Sequence, residues 1–337
     1  MEFRALDENF NLVALLDPHN VQWNRKYYEC GTYALEITQD QYTPNMKYIY
    51  CAERPETGII QKVAWSGGNI TLEGYFLEKI LDDKIIYPTF YGSGDLTTVL
   101  SQMVNQYKED LPIDTIQALN SASKVDFQET GMTIGEKLYE VLQTQEMSFR
   151  LLYNFEQNNI TLQFYQGTDR TQESGNNFVT FSTLYDNVID TMVDTDDSNY
   201  KNYALVAGQD SGENRVTVEV DLSNGGYKKK IFIDERQTQQ SQEQTLDQYK
   251  LELYQKGLEK LLGYEFVQNI DFTPQGDGYE YMVDYDLGTK CDIIIDEIKL
   301  SLQARIIAIY EVIKENSHTI EIEVGNKILT EYDKLRR

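Results

Sequence analysis

Histidine is nearly missing from this chain, with two in 337 residues. His19 sits in a turn beside Pro18, and His318 lies in Glu315-Asn316-Ser317-His318-Thr319, which reads as a hairpin tip. Neither neighbourhood supplies a nucleophile elbow or metal-ligand spacing, so both read as solvent-exposed loop histidines. Cysteine is almost as scarce. Cys30, Cys51 and Cys291 are an odd set, far apart and without CxxC spacing. They are expected to be reduced structural thiols from a cytosolic folding environment. No apolar run approaches the roughly 20 residues of a membrane span. The start, MEFRALDENF, lacks the basic-then-apolar layout of a signal peptide. No GxGxxG follows a strand, and no GxxxxGKS or GxxxxGKT is present, so no phosphate-cradling loop and no cofactor is expected. Basic residues are outnumbered, 30 against 55 acidic, for a net charge of −25. Such a surface repels phosphate backbones and anionic membranes, which argues against sequence-specific nucleic-acid binding and membrane docking. Six prolines beside 41% hydrophobic residues argue against extensive disorder.

Tyrosine, by contrast, is abundant, with 25 copies. It suits half-buried strands, and it suits interfaces because one end is apolar and the other hydrogen-bonds. Trp23 and Trp65 lie inside alternating strand patterns and are expected in the core rather than stacked on sugar rings. Asp194, Asp196 and Asp197, with Asp186 and Asp190 upstream, form the densest acidic cluster. Asp194-x-Asp196-x-Ser198 opens like an EF-hand loop, but the sixth position is Asn199 rather than Gly and the twelfth is Leu205 rather than Glu. It reads as a solvated acidic loop. A glycosidase pair needs two carboxyls about 5 to 9.5 Å apart, and nothing in the spacing marks one. No catalytic, cofactor-binding or metal-binding residue is nominated.

The length allows a substantial core in roughly two to four domains. Residues 1 to about 88 read as short strands: Asn11–Leu16, Val21–Tyr28, Thr32–Thr38, Tyr48–Ala52 and Gly58–Trp65, then a hairpin turn at Ser66-Gly67-Gly68-Asn69. That spacing suits a small barrel or sandwich. Asp95 then reads as the N-cap of a helix carrying Leu96, Val99, Leu100 and Met103 on one face. Residues 133–171 are central. Ile134, Leu138, Val141 and Leu142 recur at helical spacing, with Glu136, Lys137 and Glu140 between them. Thr133 and Glu136 can form a capping box. The period then changes to alternation. Phe149, Leu151, Tyr153 and Phe155 face Ile160, Leu162 and Phe164 across a turn at Gln157-Asn158-Asn159, where Asn tolerates positive φ. From about 180 strands return: Phe178–Leu184, Asp186–Val193, Tyr200–Gln209, then two after turns at Asp210–Asn214 and Gly225-Gly226. A Gln/Ser-rich stretch, Gln237–Gln244, leads into a helix marked by Leu246, Tyr249, Leu253, Leu258, Leu261 and Leu262, with Gly263 as its stop. Strands resume at Tyr264–Phe272, Tyr279–Tyr285, Cys291–Ile295, Leu300–Ile313 and Thr319–Val324.

Several segments together resemble a known family. LVALLD (12–17), WNRKYYECGTYALEI (23–37), GIIQKVAW (58–65) and ITLEGYFLEKILDDKIIYP (70–88) follow its N-terminal pattern. TLQFYQGTDRT (161–171) and NYALVAGQDSGENRVTVEV (202–220) resemble its middle. VDYDLGTKCDIIIDEI (283–298), ARIIAIYEVI (304–313) and IEIEVGNKI (320–328) resemble its closing strands, although Thr289-Lys290 stand where an acidic residue is expected after Gly288. The family is that of the hub, or tail-associated, proteins at the distal end of phage tails and phage-tail-like particles.

The resemblance implies a β-rich α+β fold with two tail-tube-like β-barrel domains and an intervening α/β domain. The expected domains are 1–88 (first barrel), 89–180 (α/β domain) and 181–337 (second barrel, with a helical insertion at about 236–275). It further implies a non-enzymatic structural hub: a homotrimeric ring that adapts a sixfold tail tube to a threefold spike or tip and lines the central channel. Implied partners are the tail tube or distal tail protein, the central spike or tip protein, baseplate proteins and the tape measure protein. The implied location is a virion or tail-like particle, phage or bacteriocin, assembled in the bacterial cytoplasm. If DNA passes through, an acidic lumen keeps it from sticking. The chain ends at Arg337, soon after the last expected strand, so a hub without enzymatic cargo is expected. A cell-surface glycan-binding protein and a carboxylate-dependent peptidoglycan hydrolase are the alternatives.

Overall fold

The computed structural model describes residues 1–119, 123–241, 244–264, 267–276 and 278–325. Residues 265–266 of the expected Tyr264–Phe272 strand, 242–243 of the Gln/Ser-rich stretch and 326–328 of the last family segment lie outside the described residues.

The chain opens with eight strands: β1 (Phe3–Leu6), β2 (Leu12–Leu16), β3 (Asn20–Lys26), β4 (Thr32–Thr38), β5 (Tyr48–Cys51), β6 (Thr57–Ile59), β7 (Lys62–Ser66) and β8 (Asn69–Tyr75). They form two antiparallel groups, β2-β1-β5-β6 and β3-β4-β8-β7. Alternation decides which residues go inside. Val21, Trp23 and Arg25 of β3 and Tyr33, Leu35 and Ile37 of β4 are buried, because successive side chains leave opposite faces of a strand. The β7–β8 turn takes positive φ at both Gly67 and Gly68, +59° and +94°, which glycine adopts without a Cβ penalty.

The middle of the chain builds β9 (Phe90–Asp95), α1 (Leu96–Tyr107), β10 (Thr115–Gln117), β11 (Lys124–Glu129), α2 (Ile134–Gln143), β12 (Ser148–Asn154) and β13 (Asn159–Tyr165). The expected capping box at α2 is present in both directions between Thr133 and Glu136. Ile134, Leu138, Val141 and Leu142 are fully buried. The expected hairpin forms with Phe149 opposite Phe164, Leu151 opposite Leu162 and Tyr153 opposite Ile160, and Asn158 has φ +48°. One core joins α1, α2, β9, β11, β12 and β13. Asp95 is the N-cap residue of α1, but its side chain caps nothing; the Leu96 amide instead donates to the Ser123 carbonyl, 3.0 Å away.

The last part holds β14 (Thr180–Ser182), β15 (Val188–Asp196), β16 (Tyr203–Ala207), β17 (Thr217–Asp221), β18 (Lys230–Asp234), α3 (Leu246–Leu262), β19 (Val267–Pro274), β20 (Lys290–Ile295), β21 (Leu300–Lys314) and β22 (Ser317–Gly325). Residues β16–β18 make a small sheet against α3, packed through Ala204, Val206, Val220, Tyr249 and Leu253. Thr245 caps α3 with a second capping box, to Gln248. The expected strand at Tyr279–Tyr285 is a tight turn instead, closed by a single bridge between Tyr281 and Tyr285.

The fold is α+β and β-rich. The expected two barrels meet a different pairing pattern. The fifteen-residue β21 pairs with β20 over Leu300–Arg305, with β22 beyond that, and with β3 from Ala308–Lys26 to Lys314–Asn20. The β3–β21 ladder fuses the early and late strands into one ten-stranded sheet with the path β15-β19-β22-β21-β3-β4-β8-β7. Among the described residues no ring of strands closes on itself. The main path ends at β7 and β15, and a side branch through β20 ends at the short, buried β14.

Candidate functional site

The residues that sequence chemistry draws attention to are dispersed. His19 Nε2 lies 3.4 Å from Glu36 Oε1, and His318 Nε2 lies 2.7 Å from Glu311 Oε1. His318 is the second residue of β22 rather than the tip of the turn. Asp194 and Asp196 lie on β15, and Asp190 sits at an irregularity in that strand with φ +52°. Among the described residues no group of three or more His, Cys, Asp or Glu side chains is placed to hold a metal ion. All three cysteines are free. Burial pushes the Cys51 thiol up to about 12 and those of Cys30 and Cys291 well above the usual range, so the nucleophilic thiolate is suppressed. Trp23 is a core residue, as expected, and donates to Glu56 Oε2 at 3.3 Å. Trp65 is not. It stands 67% exposed on the edge strand β7, which has neighbours on one side alone.

What the fold does assemble is a polar seam between the early and late strands. Arg25, buried inside β3, donates from Nε to Glu56 at 2.7 Å and from an Nη to Asp286 at 2.5 Å and to the Tyr281 hydroxyl at 2.8 Å. Burial disfavours its charge, but Glu56, Tyr281 and Asp286 outweigh that and hold the guanidinium firmly protonated. Beside it Arg54 pairs with the fully buried Glu311 and lies 5.1 Å from the centre of the Tyr281 ring. The turn that replaced the expected Tyr279–Tyr285 strand thus delivers Tyr281 and Asp286 to partners far earlier in the chain.

Backbones also meet closely here. A Cβ on Gly167 would fall 1.8 Å from the Gly288 carbonyl oxygen, and Gly288 itself has φ +85° under the Tyr27 ring. Only glycine fits such an approach.

Lys137 carries a second seam. Helical spacing sets it between the apolar positions of α2, but its side chain is fully buried. Its ammonium reaches Glu140 at 2.9 Å, Glu259 at 3.0 Å and Glu129 at 3.5 Å, and so fastens α3 to α2 and β11.

The outer surface is apolar in a particular place. Beside edge strand β15 runs a groove of about 780 Å³ lined by Val188, Ile189, Val193, Ile298 and Leu300 among others. Ile298 stands more than half exposed in it, and Met192 of β15 and Leu184 and Tyr185, just before that strand in the chain, are exposed as well. At the opposite edge Val63 and Trp65 are exposed. Edge strands offer unpaired backbone groups to another chain, and exposed apolar side chains mark where such contact is favourable.

The sequence model of the Siphovirus ReqiPepy6 Gp37-like protein family matches residues 2–326. The chain belongs to this family. No curated protein sequence matches it. Its fold is similar to that of prophage tail protein gp18 from Listeria monocytogenes EGD-e, at TM-score 0.62 and 13% identity over 100% of this chain and 98% of that one. The 43 kDa tail protein of prophage MuSo2 from Shewanella oneidensis gives TM-score 0.60 and 15% identity over 96% and 98%. An Escherichia coli type VI secretion system component, described as structurally similar to the T4 bacteriophage tail proteins gp27 and gp5, gives TM-score 0.50 and 9% identity over 96% and 76%. At these identities the likeness is one of fold.

In this Gp37-like family member the two seams escaped the sequence reading for different reasons. Arg25 carried a signal, since a charged residue at an inward strand position, two after Trp23, needs a buried partner. Lys137 carried a weaker one, lying three residues after Ile134 and thus on its face of the helix. Glu56, Asp286 and Glu259 carried none.

Proposed function

We propose that this protein is a structural hub of a phage tail tip or baseplate, with no catalytic role. In this reading three copies form a ring that adapts a sixfold tail tube to a threefold spike or tip and lines the central channel. The observation that carries it is the pair of edge strands at the two ends of the main sheet path, β7 and β15, each flanked by exposed apolar side chains. Two different edges on one chain favour a head-to-tail contact, and such contacts form rings when the rotation closes. The early strands (1–88) and the late strands (181–337) then serve as two tube-like units per chain, set on the α/β unit (89–180). The buried Arg25 and Lys137 seams support this by fixing the units as one rigid body. The fold shared with prophage tail proteins supports a place in the tail. The partners in this reading are two further copies, a tail tube or distal tail protein, a central spike or tip protein, other baseplate proteins and the tape measure protein.

The test is light scattering of the purified chain over a concentration series, alone and with the tube-end protein of the same particle. A species near three times 39.1 kDa in either run supports the ring. A monomer in both runs refutes it.

A further inference from the structure

The interface that docks α3 holds more buried negative charge than positive. From β11 it receives Asp126 and Glu129, and from α2 Lys137 and Glu140. The helix α3 contributes Glu252, Lys256 and Glu259. Five carboxyls therefore face three ammonium groups, the third being Lys260, which acts on Glu140. Lys137 and Lys256 attend to Glu129, Glu140 and Glu259. Asp126 and Glu252, both buried, share the Gln244 amide, whose Nε2 donates to Asp126 Oδ1 at 3.0 Å and to Glu252 Oε2 at 2.9 Å, and the Gln128 side chain also attends Glu252. Among the described residues Asp126 Oδ2, Glu252 Oε1 and Glu259 Oε2 are buried with no close hydrogen-bond partner. The opposite side of α3 is mostly apolar. Gly257 packs there on Val206 and Val220, and the Tyr249 hydroxyl donates to the Thr238 carbonyl and accepts from the Gln209 amide, with Arg215 and Asp210 beyond the ring.

A buried carboxylate oxygen without a donor is costly, and protonation removes the cost. We propose that docking of α3 on β11 and α2 requires a proton held by Glu252 or Glu259, so that the helix loosens as pH rises. Burial above all, with Asp126 beside Glu252 and Glu140 beside Glu259, pushes the Glu252 and Glu259 carboxyls upward, and this agrees. The sign follows from linkage. A carboxyl raised in the docked state gives its full stabilisation below its ordinary value, and loses it as pH rises through the raised value. The inference does not depend on the hub reading, since it concerns one chain.

The experiment is hydrogen exchange of the full-length protein from pH 5 to 9, with amide protection corrected for intrinsic exchange rates. One retained proton predicts that protection within α3 falls about tenfold per pH unit until the docked carboxyl itself ionises, then levels off. Protection within the β3–β4 ladder, which carries none of these groups, should stay level. In the Glu252→Gln/Glu259→Gln variant, whose amides supply donors and do not titrate, α3 protection should stay level too. Flat α3 protection in the wild type overturns the proposal, as does an undiminished fall in the variant.

Discussion

Replacing Arg25 by Met removes the cation at the centre of the seam between the early and late strands while keeping most of its volume. Three contacts disappear, to Glu56, Asp286 and Tyr281. They are not equal. The Asp286 side chain is 36% exposed and can turn to water, so its loss costs little. Glu56 cannot, because its side chain is 9% exposed and its remaining donor is the Trp23 indole at 3.3 Å. Stranding a buried carboxylate in this way costs about 3–5 kcal/mol. With an unfolding entropy of about 2.1 cal/mol/K per residue over 337 residues, that lowers the melting temperature by roughly 4–7 °C. Differential scanning calorimetry reads it directly. The double variant Arg25→Met/Glu56→Gln should recover at least half of the loss, because the stranded charge is gone. A single variant that melts within about 1 °C of the wild type would show the seam to be energetically idle. A double variant worse than the single would show that packing, rather than charge, dominates there.

Three further outcomes are expected. Burial pushes the Glu78 carboxyl up to about 7, so its contribution is complete below about pH 4.5 and lost as pH rises through 7; Glu78→Gln should therefore stabilise the protein by on the order of 3 kcal/mol at pH 8 and by almost nothing at pH 4, as read from urea melts at both pH values. Thr133→Ala breaks the capping box of α2 and should cost about 1 kcal/mol in the same assay, with Thr133→Ser largely restoring it. Trp65→Ser, at an exposed edge, should leave stability within about 0.5 kcal/mol yet weaken self-association in light scattering; unchanged association would remove β7 from the proposed contact.

The parts of the fold legible in the sequence are those whose information is local. The α2 capping box, its four apolar positions and the β12–β13 register follow from residues within a few places of one another, and the structure reproduces each. The α3 helix was legible for the same reason. What stayed hidden is carried by distant partners. The β3–β21 ladder joins the two ends of the chain, and no periodicity announces which strand lies beside which. Arg25 finds the Tyr281 hydroxyl 256 residues away. Tyr279–Tyr285 looked like a strand because its tyrosines alternate, but two of them serve a turn that feeds the seam. Trp65 fitted an alternating pattern equally well, yet alternation says which face a residue takes and not whether another layer covers that face.

The long strand β21 has a consequence under load. Its ladder to β3 runs antiparallel from Ala308–Lys26 to Lys314–Asn20, and β22 grips it over much the same stretch. A pull directed along these strands strains all the rungs together, as a lap joint is sheared, and none gives way until many do. A pull across them peels the rungs one after another from an end. The protein is thus stiff along one direction and weak along the perpendicular, and it should be stressed along the strands if it is to withstand force.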